Sequence, residues 1–320
     1  MKIKLGFIKN IALLLVFVTM QIYADDGGDD DYGAPNEHFY HRTSIMPVLK
    51  APKNDNALLE IEILSTGDIH EHNEHMATIT NKIEELRNSR PDKQANAKKV
   101  IVVDAGDIFC QPGNKNCGDR HLGGNGSVMA DLMSKVGYDA MIIGNHDLVY
   151  GTNRLNNYIS TYNLPIYAAN KVKTPRLLIT KYGRLFKYTY QNHSVTVGVI
   201  GTMCTHRQGY HLDRSSSEKK SDLAMKQVTT ENVKKWVSEF QPKPDIIVLL
   251  THQNDNLDEN ITGVDVLIGG HSHNQIDKFI NGKMLVKNGA FGKYLGVTKI
   301  FWDLKNHKRK GYIESEMLNM

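Results

Sequence analysis

Cysteine is scarce in this chain, with three in 320 residues. No internal repeat is present, and an acidic stretch near the start is the one low-complexity tract. No stripe of basic residues with interleaved aromatics appears, which excludes a nucleic-acid polymer as an electrostatic partner. Neither a GxGxxG fingerprint nor a P-loop occurs, and the glycine-rich LGGNGS at 122–127 matches neither. The apolar run Ile11–Met20 is also short. As a helix it reaches roughly 15–20 Å against the ~30 Å hydrocarbon core of a bilayer.

What is present begins with that run. Lys2, Lys4 and Lys9 precede it, and Ile22-Tyr23-Ala24 offers a small residue for cleavage, so residues 1–24 have the form of a secretory signal peptide. A retained anchor is the alternative. Cleavage predicts a secreted or periplasmic protein with no stable membrane association. The formal charge of +4 then largely disappears: without the three leader lysines, 36 basic residues face 35 acidic ones. An oxidising compartment allows cysteines to pair. Cys110 and Cys117 bracket CQPGNKNC and would close a small ring, leaving Cys204 single; the alternative is a free Cys110 thiol beside the site.

Residues 25–58 open with DDGGDDD and lack hydrophobic periodicity, as a solvated linker does. Residues 59–318 hold the patterned part, long enough for one well-buried domain. Strands are expected at 59–66, 99–104, 139–143 and 164–170, with helices at 75–89, 127–136 and 152–162. Segments 184–190 and 195–201 flank QNHS as a hairpin. A long helix is expected at 222–239, then strands at 245–250, 264–268, 284–287, 296–302 and 311–315. Alternation of strand and helix followed by a strand-rich end predicts a mixed α/β fold of sheets covered by helices.

Five apolar runs end in metal-ligand chemistry: IEILSTGDIH, VIVVDAGD, AMIIGNHD, IIVLLTH and VLIGGHSH. Buried strands deliver such residues to a sheet edge, where loops converge. Asp68 and His70, two apart after a strand, can face one ion. Asp107 has two carboxylate oxygens and can bridge two. Asn145 offers a neutral oxygen, and His252, His271 and His273 offer imidazoles. Oxygen and nitrogen donors without thiolate suit Mn, Zn or Fe. Two divalent ions in such a site acidify a shared water and clamp a phosphoryl group. His72 and His75 read as a solvent-facing helix start. His121, His193, His206 and His211 receive no role, and Tyr150 reads as packing.

GDIH, GDIF, GNHD, a single strand-end histidine and GGHSH, in this order, resemble the calcineurin-like metallophosphoesterase superfamily. DAGDIF, GYDAMIIGNHDLVYG, PIYAAN and NGAFGKYLG are similar to the catalytic domain of 5′-nucleotidases and UDP-sugar hydrolases, over roughly 60–303. The resemblance implies a two-sheet β-sandwich flanked by helices and a phosphoester hydrolase with two divalent metal ions. It implies Asp68, His70, Asp107 and His273 around one ion, and Asp107, Asn145, His252 and His271 around the other. His146 would be catalytic, assisting the leaving group, with Asp147 beside it. The implied partner is a small phosphorylated substrate, a nucleotide first.

Two departures stand out. In those nucleotidases an Asp three residues after the motif histidine forms a dyad with it; here that position is Val149. The family also carries a further C-terminal domain that stacks the base, whereas this sequence ends at Met320, so nucleotide specificity is not carried over.

Overall fold

Strand β1 (Leu58–Thr66) is buried along its whole length, which places it inside a sheet with both faces covered. In this computed structural model the described residues are 58–110, 117–118, 125–173, 176–206, 209–212, 217 and 219–320. The expected leader, the linker up to residue 57 and residues 122–124 of LGGNGS lie outside them.

In chain order β1 leads to α1 (Met76–Asn88), β2 (Ala97–Asp104), α2 (Ser127–Val136), β3 (Ala140–Met141) and α3 (Thr152–Thr161). A short β4 (Lys171–Lys173) precedes the hairpin β5 (Gly183–Tyr190) and β6 (His193–Gly201). Then come β7 (Ala224–Met225), α4 (Thr230–Ser238), β8 (Ile246–His252), α5 (Asp255–Glu259) and β9 (Val266–Gly270). The end is all strand: β10 (Gln275–Ile280), β11 (Lys283–Asn288), β12 (Tyr294–Asp303) and β13 (Lys308–Asn319).

The first sheet has the order β13-β12-β1-β2-β3, the second β10-β11-β9-β8-β6-β5, and β4 pairs β7 in a small ribbon. Period-2 alternation explains how the sheets stack. Leu59, Ile61 and Ile63 of β1, with Ile101 and Val103 of β2, meet Val197, Val199, Val248, Leu250, Val266 and Ile268 of the second sheet. The opposite face of the first sheet packs on Ile79, Ile83, Met129, Met133 and Leu155 from α1, α2 and α3. The outer face of the second sheet takes Val233, Trp236 and Val237 of α4. The result is the helix-covered two-sheet sandwich expected.

Three expectations need correction. The helix expected at 222–239 is a turn at Lys220–Asp222, then β7, then α4. Thr229 caps α4 by accepting the Asn232 N–H at 3.2 Å, which starts a fresh helix there. The strand expected at 164–170 is reduced to a single bridge between Met141 and Ile166. Strand β10 lies outside the expected elements, because QIDKFI is half-buried along its length and carries no clean alternation. Among the described residues no helix is long and apolar enough to cross a membrane.

Candidate metal centre

Register brings the predicted residues to one edge shared by both sheets. β1 and β2 run parallel with Thr66 opposite Asp104, so their exit loops leave side by side. Those loops continue to pair: the Asp68 N–H donates to the Gly106 carbonyl at 2.8 Å, and the His70 N–H to that of Asp107 at 2.9 Å. In the second sheet His252 lies opposite Gly270, which sets it next to His271.

All seven predicted donors meet there, around Asp107. On one side Asp68 Oδ1 is 3.7 Å from His273 Nε2 and 4.0 Å from His70 Nε2. His70 Nε2 lies 3.0 Å from His273 Nε2 and 3.9 Å from Asp107 Oδ2. On the other side His252 Nε2 is 3.1 Å from Asp107 Oδ2 and 3.1 Å from Asn145 Oδ1. His271 Nδ1 is 2.9 Å from the same Asn145 oxygen. Asp68, His70 and His273 offer donor atoms that all lie within 4.8 Å of one another, as do Asp68, Asp107 and His252. Apart from His271 and His273 these residues are buried.

Convergence on this scale takes an unusual backbone. Asp68 (φ 51), His70 (φ 49), Asp107 (φ 56), His271 (φ 83) and His273 (φ 58) all occupy the left-handed region. That region costs non-glycine residues about 1–2 kcal/mol each and persists only where surrounding contacts enforce it. Close approach also needs an absent side chain at Gly144, where a Cβ would lie 2.1 Å from Asp107 Oδ1 and 2.6 Å from His252 Cε1.

Supporting groups fix the donors. Asp147 accepts backbone N–H bonds from Gly144 (2.8 Å), Asp107 (2.9 Å), Ile108 (2.9 Å) and Phe109 (3.1 Å). Both its oxygens thus tie the β2 exit loop to the GNHD turn. His252 Nδ1 lies 2.7 Å from the Ala105 carbonyl, an acceptor, so this nitrogen carries the proton and Nε2 faces the site. Behind β8 and β9 the buried Lys287 ammonium donates to the Gln253 and Gly270 carbonyls at 2.6 and 3.0 Å. It also pairs with Asp255 and Asp258 at 2.8 and 3.0 Å.

Burial and charge set the protonation states. Burial lowers His146 to about 4, and burial with the nearby His252 lowers His271 to about 3, so both imidazoles are neutral at pH 7. Burial also drives His70 well below its ordinary range. Burial alone would lower His252, but the Asp107 and Asp68 carboxylates outweigh it and hold this imidazole at about 10. Positive charge is thus favoured where the carboxylates converge, and a cation meets the same demand. Two carboxylates, an amide oxygen and four imidazoles without thiolate fit borderline divalent ions.

The remaining predicted residues are also placed. His146 donates its backbone N–H to Asp107 Oδ1 at 2.7 Å, with its ring edge-on to His70 at a centroid distance of 4.8 Å. Val149 packs in the apolar core under the helices. Cys110 and Cys117 are disulfide-bonded with Cα atoms 5.7 Å apart, and Cys204 is buried and free. Glu71, Tyr150 and His211 have no functional role in the sequence reading. In the structure the Tyr150 hydroxyl donates to Glu71 at 3.0 Å, and His211 stacks on His146 at 4.1 Å. These are contacts between distant segments, and no local spacing announces them.

Residues 61–275 match the model of the calcineurin-like phosphoesterase family, and the chain belongs to that family. It is 23% identical over 336 residues to the trifunctional nucleotide phosphoesterase YfkN of Bacillus subtilis, covering 93% of this chain and 21% of that protein. It is 26% identical over 305 residues to a 5′-nucleotidase of Bos taurus, covering 78% of this chain and 47% of that one. A crystal structure of YfkN superposes with a TM-score of 0.62 at 20% identity, over 82% of this chain and 91% of that one. The 5′-nucleotidase precursor of Thermus thermophilus superposes at 0.60 and 19%, over 82% and 54%. These structural likenesses speak to the fold. The chain spans about half the length of the nucleotidase from Bos taurus and a fifth of YfkN.

Proposed function

We propose that this chain is an exported hydrolase of small phosphate esters, with nucleotides the first substrate class to test, working with two divalent cations. One observation carries the reading: a single Asp107 oxygen, Oδ2, lies 3.9 Å from His70 Nε2 and 3.1 Å from His252 Nε2. Asp68, His70, Asp107 and His273 would hold one cation, and Asp107, Asn145, His252 and His271 the other. Such ions supply Lewis acidity at a phosphoryl oxygen and acidify water.

The chain's own residues do the rest. Neutral His70 and His271 present lone pairs at pH 7 without first losing a proton. His146, also neutral, offers its ring N–H to a phosphoryl oxygen or to the departing oxygen. Asp147 binds no substrate in this scheme; its four backbone bonds keep Asp107 and His146 in mutual register. The leader at 1–24, the linker at 25–58 and the domain at 59–318 belong to the same proposal.

Protein reconstituted with manganese or zinc is expected to hydrolyse p-nitrophenyl phosphate and nucleoside monophosphates. His146→Ala should remove most of the turnover while metal content is unchanged; undiminished turnover contradicts the role of His146. A second reading, phosphodiesters or cyclic nucleotides, is favoured by the apolar Val149, which puts no carboxylate at that position to support proton donation by His146. A panel of monoesters, diesters and cyclic nucleotides separates the two. N-terminal sequencing of the exported protein tests the leader.

A further inference from the structure

The face-to-face contact of His146 with His211 is used by neither the donor set nor the core. Their centroids are 4.1 Å apart with ring planes inclined at 24°. The other imidazole pairs of the site are edge-on: His70 with His146 at 89°, His70 with His273 at 68° and His252 with His271 at 63°. We propose that His211 is a positioning residue that fixes the ring plane of His146; its catalytic consequence rests on the reading of His146 given above.

The need follows from the side chain. Torsion about the Cβ–Cγ bond of histidine is broad and poorly fixed by the backbone, so a working ring plane has to be imposed from outside. Three residues on, Val149 supplies only an apolar surface turned into the core. His70 touches the His146 ring by an edge-on contact, which limits tilt on one side. His211 supplies a nearly parallel plane.

The segment carrying His211 is built to hold that plane. Its backbone N–H donates to the Asn145 carbonyl at 2.9 Å, one residue before His146. The Asn145 side-chain amide returns a bond to the Gly209 carbonyl at 3.3 Å. Between them Tyr210 is fully buried, and its hydroxyl donates to the Cys204 carbonyl at 3.0 Å. Cys204 is itself tied to the β3 exit through its N–H on the Ile143 carbonyl at 3.1 Å. Gly209, Tyr210 and His211 are therefore tied to the GNHD turn, which sets the offset between the two rings.

The test uses the full chain with His211→Ala, which removes the plane, and His211→Leu, which fills the space without one. His211→Phe restores a plane that cannot titrate. Histidine labelled with 13C at Cε1 gives a His146 resonance, assigned by its absence in His146→Ala. In metal-free protein this resonance is expected to carry a ring-current shift that the alanine and leucine variants lose and the phenylalanine variant keeps. That readout stands whether or not the protein hydrolyses phosphate esters. With manganese and p-nitrophenyl phosphate, kcat should fall about tenfold to a hundredfold in the alanine and leucine variants, the usual cost of a group displaced by about an ångström. KM and metal content should stay within about twofold, and His211→Phe should recover most of kcat. An unchanged His146 resonance in both His211→Ala and His211→Leu overturns the proposal. So does a lost shift with undiminished kcat. A wild type that shows the shift but hydrolyses no ester defeats the functional reading and leaves the ring contact standing.

Discussion

Asp68, His70 and His273, on one side of Asp107, are aimed by left-handed backbone, whereas Asn145 and His252, on the other, sit on ordinary backbone. The second pair is held instead by bonds to outside partners, Asn145 to the Gly209 carbonyl and His252 to that of Ala105. His271 combines both devices, with φ 83 and an N–H donated to the Asp68 carboxylate at 2.9 Å. One group stores its geometry as backbone strain and the other as a network of satisfied polar contacts. The difference predicts how each responds to substitution.

The largest effect belongs to the residue both groups share. Asp107→Asn should lose both cations and several kcal/mol of transition-state stabilisation, on the order of a thousandfold or more in kcat. Plasma mass spectrometry with steady-state kinetics reads both. Retention of one cation at wild-type affinity would show that the groups do not share it.

Next come the supports of the second group. Lys287→Met strands Asp255 and Asp258 against the backs of β8 and β9, and breaking a buried ion network of this kind costs about 3–5 kcal/mol. Urea denaturation of metal-free protein should show that loss. One cation, the one assigned to Asn145, His252 and His271, should also weaken more than the other. Asp147→Asn sets an amide group against N–H donors and is expected to cost about 1–3 kcal/mol. Equal weakening of both cations is expected here, because Asp147 braces the loop of the shared Asp107.

The smallest effect tests the comparison most finely. His273→Gly removes a donor but relieves left-handed backbone, so the metal-free stability should change by less than about 1 kcal/mol. His252→Gly should cost more, since it empties a buried position and orphans the Ala105 carbonyl. Equal costs in urea denaturation would dissolve the distinction between the groups.

Much of this was legible in the sequence because buried strands advertise themselves. IIVLL is a continuous apolar run and IEIL is rich in branched apolar residues, and the polar residues after them stand at the sheet edge that the topology joins. The long helix expected at 222–239 failed because a helical pattern of charged and apolar residues outran its cap at Thr229. Strand β10 escaped because a half-buried edge strand needs no alternation. At the site, the gathering of the seven candidate donors at one edge could be expected from their places after strands, but the left-handed angles at five of them could not. The tie of Asp147 to the β2 exit loop and the stack of His211 on His146 arise from contacts between residues 38 or more positions apart in the chain. Local sequence carries no record of such contacts.

Anomalous diffraction from manganese-soaked crystals measures the central claim directly. Two peaks about 3.5–4 Å apart, with an Asp107 carboxylate oxygen reaching each, are the predicted result. A lone peak away from Asp107, or none with manganese at saturation, would contradict it.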